Sequence, residues 1–279
     1  MAEPTVGILH PGSMGAAVAA CAATNAARVL WCSQGRSPAS AARAEQAGLT
    51  PVSTLHELLD QSGIVISLCP PAAAEDLARE VAGHAFDGTY VEANAISPDR
   101  AERIASLLGP NTTAVDGAVV GSPPVRGKTP TLYLSGPTAA TTMVEAVFVG
   151  TAVRTRVLGT QVGQASALKV SYTAFQKASR VLAALATGMA RQYEVDQELL
   201  EVAARRSTSY LAEPEYIPKV AARAWRWGPE LEEAADTLAA AGLPPEMLRA
   251  AASTMARWHD AKDDSDLSVA DALEQLAEP

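Results

Sequence analysis

Val6-Gly7-Ile8-Leu9-His10-Pro11-Gly12-Ser13-Met14-Gly15 is the stretch on which the fold turns: an apolar run that breaks on glycines and enters an alanine-rich helix. Thr5 to Leu9 are short, apolar and partly β-branched, whereas Ala16 to Ala23 are strong helix formers, so Gly12 and Gly15 fall in a strand-to-helix turn. Such a turn aims backbone N–H groups and the positive end of a helix dipole at an anion, which suits a pyrophosphate. His10 stands where a full G-x-G-x-x-G would carry glycine. The competing reading is an ordinary buried turn whose glycines serve close packing, and the rest of the chain has to decide.

The chain has 279 residues, 48% of them hydrophobic and 19% charged, with a formal net charge of -9. That length suits one large domain or two, and buries roughly three quarters of the unfolded surface. The composition is ordinary for a soluble globular protein. No apolar run is long enough to span a bilayer, and the N-terminus lacks the pattern of a secretory signal, so a cytoplasmic protein is expected. The acidic balance argues against a nucleic-acid binder, whose phosphate contacts need a basic face. Cys21, Cys32 and Cys69 are an odd, widely spaced set in apolar surroundings, which reads as reduced core thiols. His10, His56, His84 and His259 have no ligand spacing, so no metal site is expected.

Short β-like runs at Arg28 to Cys32, Ile64 to Leu68, Thr89 to Ala93, Thr113 to Ala118 and Thr131 to Ser135 alternate with helical stretches near 38–47, 53–61, 72–82, 98–108 and 138–147. Strand and helix in alternation imply an α/β fold with a doubly wound, mostly parallel sheet. After Gly163 the strand signals stop. Gln164 to Tyr193 reads as one long helix, and Pro214, Pro218, Pro229 and Pro244-Pro245 punctuate about four further helices. This places a boundary near residue 160, with a Rossmann-type domain over 1–160 and an all-helical domain over 161–279.

An NAD site normally has a carboxylate at the end of the second strand, roughly 20 residues past the glycines, to bind the adenosine 2′-hydroxyl. Here that place reads Cys32-Ser33-Gln34-Gly35-Arg36-Ser37. A guanidinium between hydroxyls suits a 2′-phosphate instead. NADP(H) is therefore expected over NAD(H), with Ser33, Arg36 and Ser37 as contacts.

Four blocks, in order, resemble the β-hydroxyacid dehydrogenase superfamily, which includes 3-hydroxyisobutyrate and 6-phosphogluconate dehydrogenases and, more distantly, imine reductases. Gly7, Gly12, Met14 and Gly15 match its G-x-I-G-x-G-x-M-G, with His10 the departure. Leu68-Cys69-Pro70 resembles the turn after the fourth strand that borders the cofactor. Glu92-Ala93-Asn94-Ala95-Ile96-Ser97-Pro98 stands at the D-x-S-T-x-x-P substrate segment, followed by Asp116-Gly117-Ala118-Val119-Val120-Gly121-Ser122 in place of D-A-P-V-S-G-G. Gly163 to Thr173 occupies the block that supplies the catalytic lysine. Trp225-Arg226-Trp227-Gly228-Pro229-Glu230-Leu231 looks like a poorly characterised branch with its own helical domain.

The resemblance implies an NAD(P)-dependent oxidoreductase that moves hydride between nicotinamide and a carbonyl or hydroxyl carbon of a small molecule. Gly12, Ser13, Met14, Gly15, Cys69 and Pro70 would hold the cofactor. Lys169 would be general acid and base, and Asn94, in place of serine, would orient substrate or polarise its oxygen. Val120, Gly121 and Ser122 would line the substrate pocket, and the backbone N–H groups of the latter two would hold an anionic part.

The residues around Lys169 are compatible with this role, and it is the resemblance that selects it over the plainer alternative. Alanine, leucine and valine surround it, company a solvent-facing lysine rarely keeps, and Tyr172, Thr173 and Gln176 follow at i+3, i+4 and i+7 on one helix face, a polar stripe that suggests a lined cleft in which Thr173 assists the lysine and Tyr172 and Gln176 meet substrate. A lysine whose stem packs while its head reaches water is the plainer alternative.

Three departures from the family pattern point away from a plain 3-hydroxyacid: Thr173 for asparagine, the apolar Val120 for serine, and Pro229-Glu230 where many relatives place Lys-Asp. Relatives pair their helical domains, so a homodimer through that domain is expected, with the cleft completed by the partner chain. Two alternatives stay open: an imine reductase, against which Lys169 itself speaks, and a non-catalytic NADP(H)-binding sensor.

Overall fold

The structure, a computed structural model, describes residues 3–192, 194–205, 210, 213–240 and 245–277. Tyr193 and Pro244, both used above to delimit helices, lie outside them. Two compact units result, the first ending at Lys169 and the second beginning at Val170.

The first unit is built on one eight-stranded sheet in the order β3-β2-β1-β4-β5-β6-β7-β8. Its strands are β1 (Thr5–Ile8), β2 (Arg28–Cys32), β3 (Thr50–Val52), β4 (Ile64–Ser67), β5 (Gly88–Glu92), β6 (Thr112–Val120), β7 (Thr131–Ser135) and β8 (Arg154–Gly159). All neighbours are parallel except β6 and β7, which run antiparallel. The doubly wound, mostly parallel sheet expected from the alternation is therefore present. Helices α1 (Ser13–Ala22), α2 (Pro38–Gln46), α3 (Leu55–Gln61), α4 (Ala74–Gly83), α5 (Pro98–Leu107) and α6 (Thr138–Phe148) connect the strands. Two apolar cores form, one around Val6, Ile8, Val29 and Val144, the other around Leu9, Leu58, Val65 and Tyr90. The order reverses between β1 and β4, and in open sheets of this kind ligands bind beyond the strand carboxyl ends at that reversal.

The sequence did not announce β3 and β8, for a shared reason: both are edges. β3 is three residues long with Pro51 at its centre, which only an edge tolerates because proline donates nothing to a ladder. β8 carries Arg154, Thr155 and Arg156 and is largely solvated, so its hydrophobic alternation is weak.

The second unit is helical. α7 (Gln164–Gln192) runs into it, followed by α8 (Asp196–Ala204), α9 (Ile217–Ala221), α10 (Ala224–Ala240), α11 (Glu246–Met255) and α12 (Val269–Ala277). Val181, Trp227, Leu231, Met255 and Trp258 form its core, where the Trp258 indole N–H donates to the Ala272 carbonyl at 2.7 Å. Pro229 corrects a sequence expectation, since it lies inside α10 and ends no helix. Burial of Trp227, Leu231, Ala234 and Ala235 carries the helix through it, outweighing the lost backbone hydrogen bond.

Candidate active site

The buried strand β1 delivers the chain to a turn in which Gly12 caps α1, with no side-chain cap and no acidic residue in the first turn. The glycines divide the two sequence readings between them. A Cβ on Gly15 would collide with the His10 carbonyl oxygen, so Gly15 serves close packing. A Cβ on Gly12 would meet nothing within 4 Å, so the space before the helix end is open to an anion. Ser13 is exposed and Met14 packs partly against the sheet core.

Two arginines flank this turn. Arg36 donates from Nη2 to the Leu9 carbonyl at 2.9 Å, and its Nη1 lies 2.9 Å from His10 Nε2 and 3.1 Å from Nδ1. Arg43, which the sequence reading missed, donates from Nε to the Pro11 carbonyl at 3.2 Å. Burial first, and then the Arg36 charge, push the His10 imidazole down to about 4, so it is neutral at pH 7. Beside them lies a cleft of about 620 Å³ lined by Leu9, Cys32, Gln34, Arg36, Thr54 and Leu55 among others. Ser33 and Ser37 are exposed, but their hydroxyls have structural partners: Ser33 Oγ donates to the Val52 carbonyl, and Ser37 Oγ caps α2 by accepting from the Ser40 N–H. A nicotinamide dinucleotide fits these residues, with an open helix end for the pyrophosphate and cations for further phosphate.

At the ends of β4 and β5 the polar groups are buried and mutually engaged. Asn94 Nδ2 donates to Ser67 Oγ at 3.0 Å and to Glu92 Oε1 at 2.5 Å, and the Asn94 N–H also reaches Glu92 Oε1. The role of polarising a substrate oxygen needs a donor, and this amide nitrogen already has two acceptors. What Asn94 retains is its Oδ1, buried and without a hydrogen-bond partner among the described residues. Desolvation, with a smaller contribution from Asp116, pushes the Glu92 carboxyl up to about 8. Cys69 is buried beside this cluster, its thiol pushed up to about 11 by burial and then Glu92, and Pro70 is exposed.

Asp116, in register with Glu92 on the neighbouring strand, fastens the start of α7. Its Oδ2 accepts from the N–H groups of Gly163 and Ser166, each at 2.9 Å, and from Ser135 Oγ at 3.1 Å, while Oδ1 accepts from Ser166 Oγ at 2.6 Å. Burial raises this carboxyl against four hydrogen bonds that favour its ionised form. One turn further, half-buried Lys169 donates from Nζ to the Val119 carbonyl at 2.8 Å, near the end of β6. Val120 is half-buried; exposed Gly121 has φ +125° and opens the connection to β7, with Ser122 also exposed.

Farther along α7, Thr173 is buried, Gln176 half-buried and Tyr172 44% exposed, so the polar stripe is not a uniform lining. Within the second unit the Lys177 ammonium pairs with Glu230, and Nζ lies 5.2 Å from the Trp227 ring centre. Glu230 is thus paired within the helical unit by a lysine of α7.

The sequence reading missed Arg43, Glu92, Asp116 and Ser166 as members of the site. The signal for two of them was present: a carboxylate in the middle of an apolar strand, as Asp116, or at its last residue, as Glu92, is costly to bury and needs a reason.

Residues 190–258 match the family described as "Domain of unknown function (DUF1932)". An uncharacterized 28.5 kDa protein in the 7S RNA 5′ region of Methanothermus fervidus is 28% identical over 174 residues, 62% of this chain and 66% of that protein, just under two thirds of its length. Among solved structures, 3-hydroxyisobutyrate dehydrogenase of Mycobacterium tuberculosis, in a structure with L-serine, superposes with a TM-score of 0.77 at 19% identity, covering 99% of this chain and 100% of that one. A reductive aminase from Aspergillus terreus, in complex with NADPH and ethyl-5-oxohexanoate, gives 0.54 at 17% identity, covering 96% and 98%. The chain therefore has the fold of the 3-hydroxyacid dehydrogenases, and its helical C-terminal part contains the stretch that matches DUF1932.

Proposed function

We propose that this protein is an NADPH-dependent oxidoreductase acting on a carbonyl or hydroxyl carbon of a small molecule, with Lys169 as general acid and base. The observation that carries this reading is the hold on Lys169. Asp116 clamps the start of α7, and Nζ is held 2.8 Å from the Val119 carbonyl, on the same sheet as the glycine turn. The family resemblance at Gly163 to Thr173 and the fold likeness support the same assignment.

In this reading residues 1–160 bind the cofactor and 161–279 serve substrate binding and dimerisation. The first-turn N–H groups at Ser13, Met14 and Gly15 receive the pyrophosphate, and Arg36, with Ser33 and Ser37, binds a 2′-phosphate. Cys69 and Pro70 border the cofactor. When bound, the cofactor supplies or accepts hydride. Lys169 Nζ gives a proton to the substrate oxygen in reduction and takes it back in oxidation. Asn94 Oδ1 accepts a hydrogen bond from substrate, the Gly121 and Ser122 N–H groups hold an anionic part, and Val120 keeps one wall apolar. Tyr172, Thr173 and Gln176 extend the polar stripe of α7. A homodimer joined through the helical domain belongs to the same reading. So does a cytoplasmic setting, in which the free thiols of Cys21, Cys32 and Cys69 stay reduced.

Asn94 Oδ1 also favours a second reading, C=N reduction, because an unpartnered acceptor suits an iminium or amine N–H. Following NADPH and NADH oxidation against ketones, aldehydes and cyclic imines tests both. Lys169→Ala should lower kcat by orders of magnitude and leave NADPH binding unchanged. Undiminished turnover in that variant would remove the mechanism, and silence on every substrate with tight NADPH binding would favour the sensor.

A further inference from the structure

His10 departs from the glycine pattern of the turn, and the structure gives it a partner 26 residues away. Arg36 follows Gly35, whose φ of +70° turns the chain back after β2, and two of its nitrogens are held by the segment between β1 and α1. We infer that His10 is a positioning residue that holds the Arg36 guanidinium at the cofactor cleft and thereby sets the preference for a 2′-phosphorylated dinucleotide. This rests on the NADP(H) reading given above.

Arg36 stands in a loop whose neighbours Gly35 and Ser37 are exposed, yet it is itself half-buried. Unheld, such a side chain loses rotamer freedom when a ligand fixes it. The bonds to His10 and Leu9 fix it beforehand, and preorganisation of this kind raises affinity by lowering that cost. A guanidinium has five N–H groups, so bonds to Leu9 and His10 leave others for a phosphate. The Nε of Arg36 is buried and lacks a hydrogen-bond partner among the described residues. An imidazole can accept from a guanidinium only when neutral, which burial and the adjacent charge ensure. The carboxylate that lines the cleft, Glu80, comes from α4 and not from the end of β2, where an acid would select a free 2′-hydroxyl.

The test is direct titration of the full chain with NADPH and NADH, followed by fluorescence, for wild type, His10→Ala, His10→Gln and Arg36→Ala, with melting temperatures as a folding control. Removing a hydrogen bond to a charged group should weaken NADPH binding about tenfold in His10→Ala and leave NADH within about twofold. His10→Gln, whose side-chain carbonyl can accept from the guanidinium, should recover most of the loss. Adding His10→Ala to Arg36→Ala should cost nothing more. Equal weakening of both cofactors would mean that His10 only shapes the turn, and unchanged NADPH binding would mean that it positions nothing; either overturns the inference while leaving the NADP(H) reading intact. A wild-type protein that binds NADH as tightly as NADPH would refute that reading and the inference with it.

Discussion

Replacing Glu92 by glutamine should flatten the pH dependence of the sheet's stability. Glu92 is 3% exposed, accepts from the Asn94 N–H and Nδ2, and lies 3.5 Å from the Tyr90 hydroxyl. Burial pushes its carboxyl from the ordinary 4.5 up to about 8. Below pH 4.5 the group is protonated folded and unfolded alike. Between 4.5 and about 8 the folded state keeps a proton that the unfolded chain has released, so stability falls as pH rises; above about 8 both states are ionised and the dependence ends. At about 1.36 kcal/mol per pH unit the full window amounts to roughly 5 kcal/mol.

Glutamine has the same shape, can still accept from Asn94, and does not titrate. The Glu92→Gln variant should therefore gain on wild type by about 1.4 kcal/mol for each pH unit between about 5 and 8, and level off above that. Hydrogen exchange of the β5 amides, compared between the two proteins at equal pH, reads this difference where it arises and cancels the intrinsic pH dependence of exchange. A difference that stays constant from about pH 5 to 9 would refute the reasoning, because it would mean that Glu92 is ionised in the folded protein throughout.

Asp116→Ala should destabilise the first unit by about 3–5 kcal/mol, because it orphans the buried N–H groups of Gly163 and Ser166, and should reduce kcat by loosening Lys169. Asp116→Asn, with its carbonyl in the Oδ2 position, should lose less than half of that, and equal urea midpoints for wild type and the alanine variant would contradict the clamp. Gly12→Ala should fold with a near-normal melting temperature yet lose NADPH binding, since its methyl group enters only the space before α1. Gly15→Ala should lose both, as its Cβ meets the His10 carbonyl; calorimetry with a binding titration separates the two cases.

The family resemblance and the doubly wound fold were legible in local patterns. The glycine turn, the alanine-rich α1 and the buried runs at β2, β4 and β5 each carry their own periodicity within about ten residues. The edge strands were not legible, because solvation on one side removes the pattern that marks a strand. The site was legible only as a set of residue types. Lys169 was singled out, but its acceptor is a backbone carbonyl 50 residues away, which no side-chain identity encodes. Asn94 was singled out as well, yet which end of its amide stays without a partner among the described residues follows from Glu92 and Ser67 taking the nitrogen.

What the sequence by itself determined is therefore the alternation of elements, the open helix end at Gly12 and the absence of an acid after β2. All of these are local consequences of residue size, branching and charge. Only the tertiary structure decided that His10 meets Arg36, that Asp116 fastens α7 and that Ser67 meets Asn94. A buried polar group must find its partner wherever the fold brings one within about 3 Å, and sequence distance plays no part in that requirement.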